Sequence, residues 1–221
     1  MIGFATVNFV ASGHENAVTD FAHKVLTDHS GKFELDFEKI TPKPAVLRGL
    51  DRGAFWPQFS AHEIEVALEA LVRKPIPGKF GVGPKVDSLL GNTAKKLMLK
   101  TYNDLEQWVS KQSPWALERA AKCQVAHAET GYYFEEDWES DCWGGDAKRM
   151  VFSMAKLSSK QYRARFSFPW NAPRPIFHAI ARDYPSLNIR ADAHEPQYGY
   201  HYAMNAAKGT VSEDWPKPND A

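Results

Sequence analysis

Between Glu129 and Asp146 the chain carries seven carboxylates and no Lys or Arg: Glu129, Glu135, Glu136, Asp137, Glu139, Asp141 and Asp146. Such a block suits three kinds of chemistry: an acid–base pair, a divalent cation site, or a charged face for a basic partner. An acid–base pair needs two carboxyls in environments different enough to push their pKa values apart. A hydrolytic site needs a nucleophile with a base beside it. Neither arrangement accompanies these acids. They are interleaved with Tyr132, Tyr133, Phe134 and Trp138, and carboxylates around aromatics make a partner-facing surface: acids at the rim, rings as buried anchors. The expected partner-binding set is Tyr132, Tyr133, Phe134, Glu135, Glu136, Asp137, Trp138, Glu139 and Asp141. The bland alternative places Trp138 and Trp143 in the core and leaves the acids to solubilise a loop.

The eight histidines give no metal signature, because no pair stands at i and i+4 on a helix. His194 and His201 can face each other across a hairpin with Glu195 adjacent, a spacing too loose to define a site, so no metal and no cofactor are expected. No serine elbow is present, and Gly78 to Lys85 (GKFGVGPK) lacks phosphate-loop spacing. No enzymatic activity is expected. Arg163 and Arg165 are the candidate nucleic-acid contacts. They alternate with Tyr162, Ala164, Phe166 and Phe168, so the arginines face out and the rings face in. An ordinary half-buried sheet explains the same pattern.

The charge totals balance at 27 basic and 27 acidic residues, so no global field draws the chain to nucleic acid or membrane. The imbalance is local. Ala61 to Ala128 has 10 bases against 7 acids, and Ala147 to Ala221 has 11 against 6. Hydrophobic residues make up 43% of the 221, enough for a real core. The two cysteines, Cys123 and Cys142, cannot build a disulfide framework; free thiols in a reducing cytosol are expected. No long apolar run and no charged-then-apolar leader stands at Met1, so a cytoplasmic protein is expected.

The elements follow from periodicity. Phe4 to Val10 reads as a strand, and His14 to His29 as a helix with Val18, Phe21, Ala22, Val25 and Leu26 on one side. Phe33, Leu35 and Phe37 alternate with acids, which predicts a second strand. Helices are expected over Ile64 to Val72, Val86 to Val109, and Pro114 to Ala128. The acidic block reads as a turn. Met150, Phe152 and Met154 predict a strand, Tyr162 to Phe168 its partner, and Ile176 to Ala181 a proline-started helix. Strands around Leu187 to Ala191 and Tyr200 to Met204 follow, then a mobile tail.

The fold class expected is α+β: a ferredoxin-like antiparallel sheet with helices on one face, interrupted by an α-helical insertion. The core spans 1–44 and 130–209, the insertion 45–129 and the tail 210–221. Neither end offers enough apolar surface alone, so both should share one core.

Five passages carry a family likeness: VNFVASG, FELDFEKITPKP, GYYFEEDWESDCWGG, FSFPWNAPRPIFHAIARDYPSL and YGYHYAM. On these the chain resembles the plasmid- and phage-encoded YubB-like proteins, whose C-terminal part is a ferredoxin-like domain. The likeness covers about Met1 to Pro44 and Thr130 to Gly209. It implies a chain path and a mobile-element origin, with no iron–sulfur cluster and no catalytic residues to transfer. The expected function is therefore that of a non-enzymatic phage or plasmid accessory. It would bind and inhibit a host nucleic-acid-handling defence complex such as CRISPR–Cas or restriction. The alternative is a single-stranded nucleic-acid-binding protein that uses the sheet.

Overall fold

The computed structural model describes residues 3–51, 71–72, 101–112, 114–169, 171–195 and 199–214. The chain forms two units: Met1–Pro42 with Trp138–Ala221, and Lys43–Asp137. The fold is mixed α+β, with a large antiparallel sheet in the first unit.

That unit begins with β1 (Phe4–Ser12), α1 (Glu15–Val25), the hairpin β2 (Leu26–His29) and β3 (Lys32–Leu35), and α2 (Phe37–Ile40). Its second segment holds β4 (Val151–Leu157), β5 (Gln161–Pro169), a helix at Arg174–Asp183, β6 (Asn188–Glu195), β7 (Tyr200–Ala207) and β8 (Thr210–Asp214). The six-stranded sheet has the order β4-β5-β1-β6-β7-β8, with every neighbouring pair antiparallel. The first strand of the chain thus lies inside the sheet built by the last segment. β1, α1, β4, β5, the Arg174–Asp183 helix and β6 follow the β-α-β-β-α-β path. β7 and β8 extend the sheet beyond it.

Alternation in β1 sets the core. Ala5, Val7, Phe9 and Ala11 are completely buried, while Phe4, Thr6, Asn8, Val10 and Ser12 face the other way. Phe9 stacks on Phe177 at 5.3 Å, and Phe177 stacks on Tyr202 at 6.4 Å. Phe21 of α1 meets Tyr162 at 5.9 Å and the edge of Tyr184 at 5.3 Å. Each such ring contributes roughly 1.5–3 kcal/mol by leaving water, and all of them lie on the helix-covered side.

Local chemistry overrides the sequence pattern at five places. The expected helix over His14 to His29 stops at Val25, and Leu26–His29 pairs with β3 through a two-residue turn with Ser30 and Gly31 at positive φ. Phe37 does not continue a strand: the Asp36 carboxylate accepts from Glu38 N and Lys39 N and so starts a helix. The acidic block is not a turn but a helix over Glu135–Trp143. A bulge between Phe152 and Met154 breaks the alternation expected in β4. The expected mobile tail begins as strand β8, joined to β7 by Lys208 and Gly209, both at positive φ.

The Trp143-Gly144-Gly145 passage is a packing device. The indole Nε1 of Trp143 donates to Thr41 O at 2.9 Å, and its ring meets Trp138 at 5.3 Å and Phe37 at 6.2 Å. Gly144 has φ of 87°, and a Cβ there would lie 3.1 Å from Pro173 Cα; one on Gly145 would lie 3.1 Å from the Phe168 ring.

Within the second unit, α3 (Tyr102–Gln112) and α4 (Pro114–Thr130) are described, with a 3-10 turn at Ala45–Leu47. Leu47, Leu105, Val109, Ala116 and Cys123 are buried there. Arg119 donates to Asp51 O at 3.0 Å, and Gln124 donates to Leu71 O at 2.8 Å. The expected helix over Ile64 to Val72 and the part of the Val86 to Val109 helix before residue 101 lie outside the described residues, except Leu71 and Val72. The chain passes from this unit to the first within the Glu135–Trp143 helix, here α5; the Arg174–Asp183 helix is α6. Among the described residues no helix is long and apolar enough to cross a membrane.

Candidate functional site

The side of the sheet away from α1 and α6 presents its polar residues to solvent. On β5, Arg163 and Arg165 are exposed while Tyr162, Ala164, Phe166 and Phe168 are buried, as their alternation predicts. Register brings further cations beside them. Arg163 pairs with Lys156 of β4 on one side and Val10 of β1 on the other, and Val10 pairs with Arg190 of β6. Lys156, Arg163 and Arg190 therefore form one row across four strands. Arg165 lies in the next row, between Met154 and Asn8. Lys156 and Arg190 are also exposed. With strands about 4.8 Å apart, this row spans roughly 15 Å.

Carboxylates keep to the far half of the face. No Asp or Glu occupies an open-face position on β4, β5 or β1. Asp192 of β6 and Asp214 of β8 share a row with Ala203. Asp192 lies 3.3 Å from His201 Nε2. Arg163 Nε donates to Gln161 Oε1 at 2.6 Å, a contact that orients the guanidinium without neutralising it.

The acidic block is distributed differently from the surface expected of it. Phe134, Glu135, Trp138 and Glu139 are buried, Tyr132, Tyr133, Glu136 and Asp137 are half-buried, and Asp141 is exposed. Glu135 is held by Lys43 at 2.5 Å, with both side chains enclosed. Tyr133 stacks on His127 at 4.0 Å. Helical periodicity explains the split, since Glu135, Trp138 and Glu139 lie three and four apart and so share the inward side of α5. Of the four expected ring anchors, Phe134 and Trp138 are packed within the protein, and Tyr132 and Tyr133 are half-buried.

A third cluster joins β8 to α6. Glu213 Oε2 accepts from Arg174 at 2.7 Å; Glu213 Oε1 accepts from the Tyr202 hydroxyl at 2.5 Å and lies 2.7 Å from His178 Nε2. Arg174 also stands over the Tyr202 ring at 5.7 Å. Partial burial opposes ionisation of Glu213. Hydrogen bonds from Arg174, Tyr202 and His178 outweigh it and bring the carboxyl down to about 2. Burial, reinforced by the Glu213 charge, pushes the Tyr202 phenol far up. With both carboxylate oxygens engaged, the cluster works as a clamp on an edge strand.

His194 and His201 do face each other across β6 and β7, but Glu195 is buried on the opposite side. Among the described residues no group of three His, Cys, Asp or Glu could hold a metal. Cys123 and Cys142 are free thiols, and burial pushes the Cys123 thiol up to about 11.

No family model and no curated protein matches this chain. Among solved structures it is similar to a protein api92 from Yersinia pseudotuberculosis, described under DUF1281. The likeness has a TM-score of 0.43 at 11% identity and covers 99% of this chain and 100% of that one.

Sequence reasoning missed Lys156 and Arg190. Without the bulge, Lys156 would share the inward side of Phe152, which meets Phe166 at 5.1 Å. The bulge turns it to the solvent side, and nothing in MVFSMAKL announces a bulge there. Arg190 is the more legible of the two, because it stands between the apolar Ile189 and Ala191 of an expected strand.

Proposed function

We propose that the protein binds single-stranded nucleic acid through the open face of its sheet, without catalysis. The observation that supports this most directly is the convergence of Lys156, Arg163, Arg165 and Arg190 on one exposed surface whose β4-β5-β1 half has no open-face carboxylate. Clustered cations release counterions from a phosphate backbone, and that release drives sequence-independent binding. A broad sheet face does not enter a major groove, which admits a helix or a two-stranded ribbon. A single strand can lie across it.

The test is fluorescence anisotropy with labelled single-stranded and duplex oligonucleotides over a salt series. The single strand should bind more tightly. Its log–log salt slope should be about −3 for four phosphate contacts, at roughly −0.7 each. The double variant R163E/R165E should weaken binding and reduce the slope by about 1.4. Unchanged affinity in that variant would refute the assignment.

A second reading draws on α5. Asp137 and Asp141 are four apart on one side of the helix, and Asp141 is exposed. These acids, with Glu136, support an inhibitor of a host defence complex such as CRISPR–Cas or restriction, which would offer them to a basic groove. The triple variant E136K/D137K/D141K should then lose inhibition. Full inhibition by that variant would remove α5 from consideration.

A further inference from the structure

Phe4 is the one open-face aromatic on β5, β1 and β6, among the described residues. It is 41% exposed, although Ala5, Val7, Phe9 and Ala11 of the same strand are completely buried. Its register partner on β5 is Pro169, and the pairing with β6 begins only at Thr6, so in the ladder the β6 side of Phe4 is open. No ring contact to another described aromatic is made by Phe4. The exposed part of the ring is apolar area that a flat ligand can still cover.

What lies beside it indicates an occupant. Along β1 the open-face residues run Phe4, Thr6, Asn8, Val10. Thr6 is flanked by Ser167 and His194, Asn8 by Arg165 and Asp192, and Val10 by Arg163 and Arg190. One line of about 20 Å, at 3.3 Å per residue, thus passes from an exposed ring over polar groups to the cationic rows. A partner with apolar faces at one spacing and anionic groups at another fits that order. A single-stranded nucleic acid has both, since every base offers a π-face and every linkage a charge.

We infer that Phe4 is a base-stacking platform, and that the strand runs along β1 with a base on Phe4 and its phosphates on the Arg165 and Arg163–Arg190 rows. The inference rests on the sheet-face reading above and adds the contact that distinguishes a base from bare backbone. Stacking on one aromatic is sequence-tolerant. The protein should therefore bind homopolymers of different bases with similar affinity yet discriminate against a strand without bases.

The experiment compares a labelled oligo-dT with an abasic backbone of equal length, for the full chain and for F4A, F4L and R163E/R165E, with folding checked by circular dichroism. F4A and F4L should weaken oligo-dT binding about 5- to 100-fold and leave the abasic strand unchanged, because Leu keeps apolar area and loses the π-face. R163E/R165E should weaken both. If F4A and F4L leave oligo-dT affinity unchanged, or lower both ligands equally, while R163E/R165E still weakens both, the stacking inference fails and the sheet-face reading stands. If R163E/R165E leaves both ligands bound, the underlying reading falls and this inference falls with it.

Discussion

The two sides of β1 differ by one residue of offset and belong to different physical regimes. Ala5, Val7, Phe9 and Ala11 meet helices and other rings and are closed to water; Phe4, Thr6, Asn8 and Val10 meet solvent and cations. A residue on the first side acts through packing, where a missing methylene is felt. On the proposed function, a residue on the second side would act through what it offers a ligand, and its removal should hardly affect folding. Binding and stability should then be separable along a single strand.

The largest expected effect tests the packed side. F9A removes a ring stacked between two elements and should cost about 3–5 kcal/mol, read as a lower midpoint in urea. Val10→Ala, its neighbour on the open side, should stay within about 0.5 kcal/mol. Equal losses at the two positions would dissolve the distinction.

Next comes the clamp, which ties the edge strand β8 to the packed side through Glu213. Its carboxyl is lowered from an ordinary value of 4.5 to about 2. A depressed folded-state pKa contributes stability that is complete above about pH 4.5 and is lost as pH falls toward 2. After allowance for the partly exposed Arg174 and His178, the contribution is about 1–2 kcal/mol. E213Q should lose that amount at pH 7, and its stability should depend less on pH between 4.5 and 2, as followed by thermal melts.

A smaller effect is expected from Y162F. The Tyr162 hydroxyl is buried beside the Leu35 backbone without a well-formed hydrogen bond. Removing an unpartnered hydroxyl should be neutral or stabilising by up to about 1 kcal/mol, and a clear loss of Tm would show the hydroxyl to be bonded after all. The smallest stability effect should come from R163E/R165E, within about 0.5 kcal/mol of the parent, even though it is a variant expected to weaken binding. A large loss of stability there would place the arginines in the structural regime.

Periodicity alone determined the strands β1, β5, β6 and β7, the inward residues of α6, and the outward direction of Arg163 and Arg165. These depend on local alternation of apolar and polar side chains, which the chain carries wherever it folds. The fold class followed for the same reason. The tertiary structure decided the rest. It placed β1 between β5 and β6, so that Val10 aligns Arg163 with Arg190 across strands far apart in sequence. It set the bulge that turns Lys156 outward. It enclosed Phe134, Glu135, Trp138 and Glu139, because a run of acids and rings looks the same in a turn or a helix until something packs against it. It gave residues after Ala207 a strand, since Lys208-Gly209 is only a turn once β7 offers an edge to pair with. Register, burial and edge pairing are relations between distant segments, and a linear pattern does not contain them.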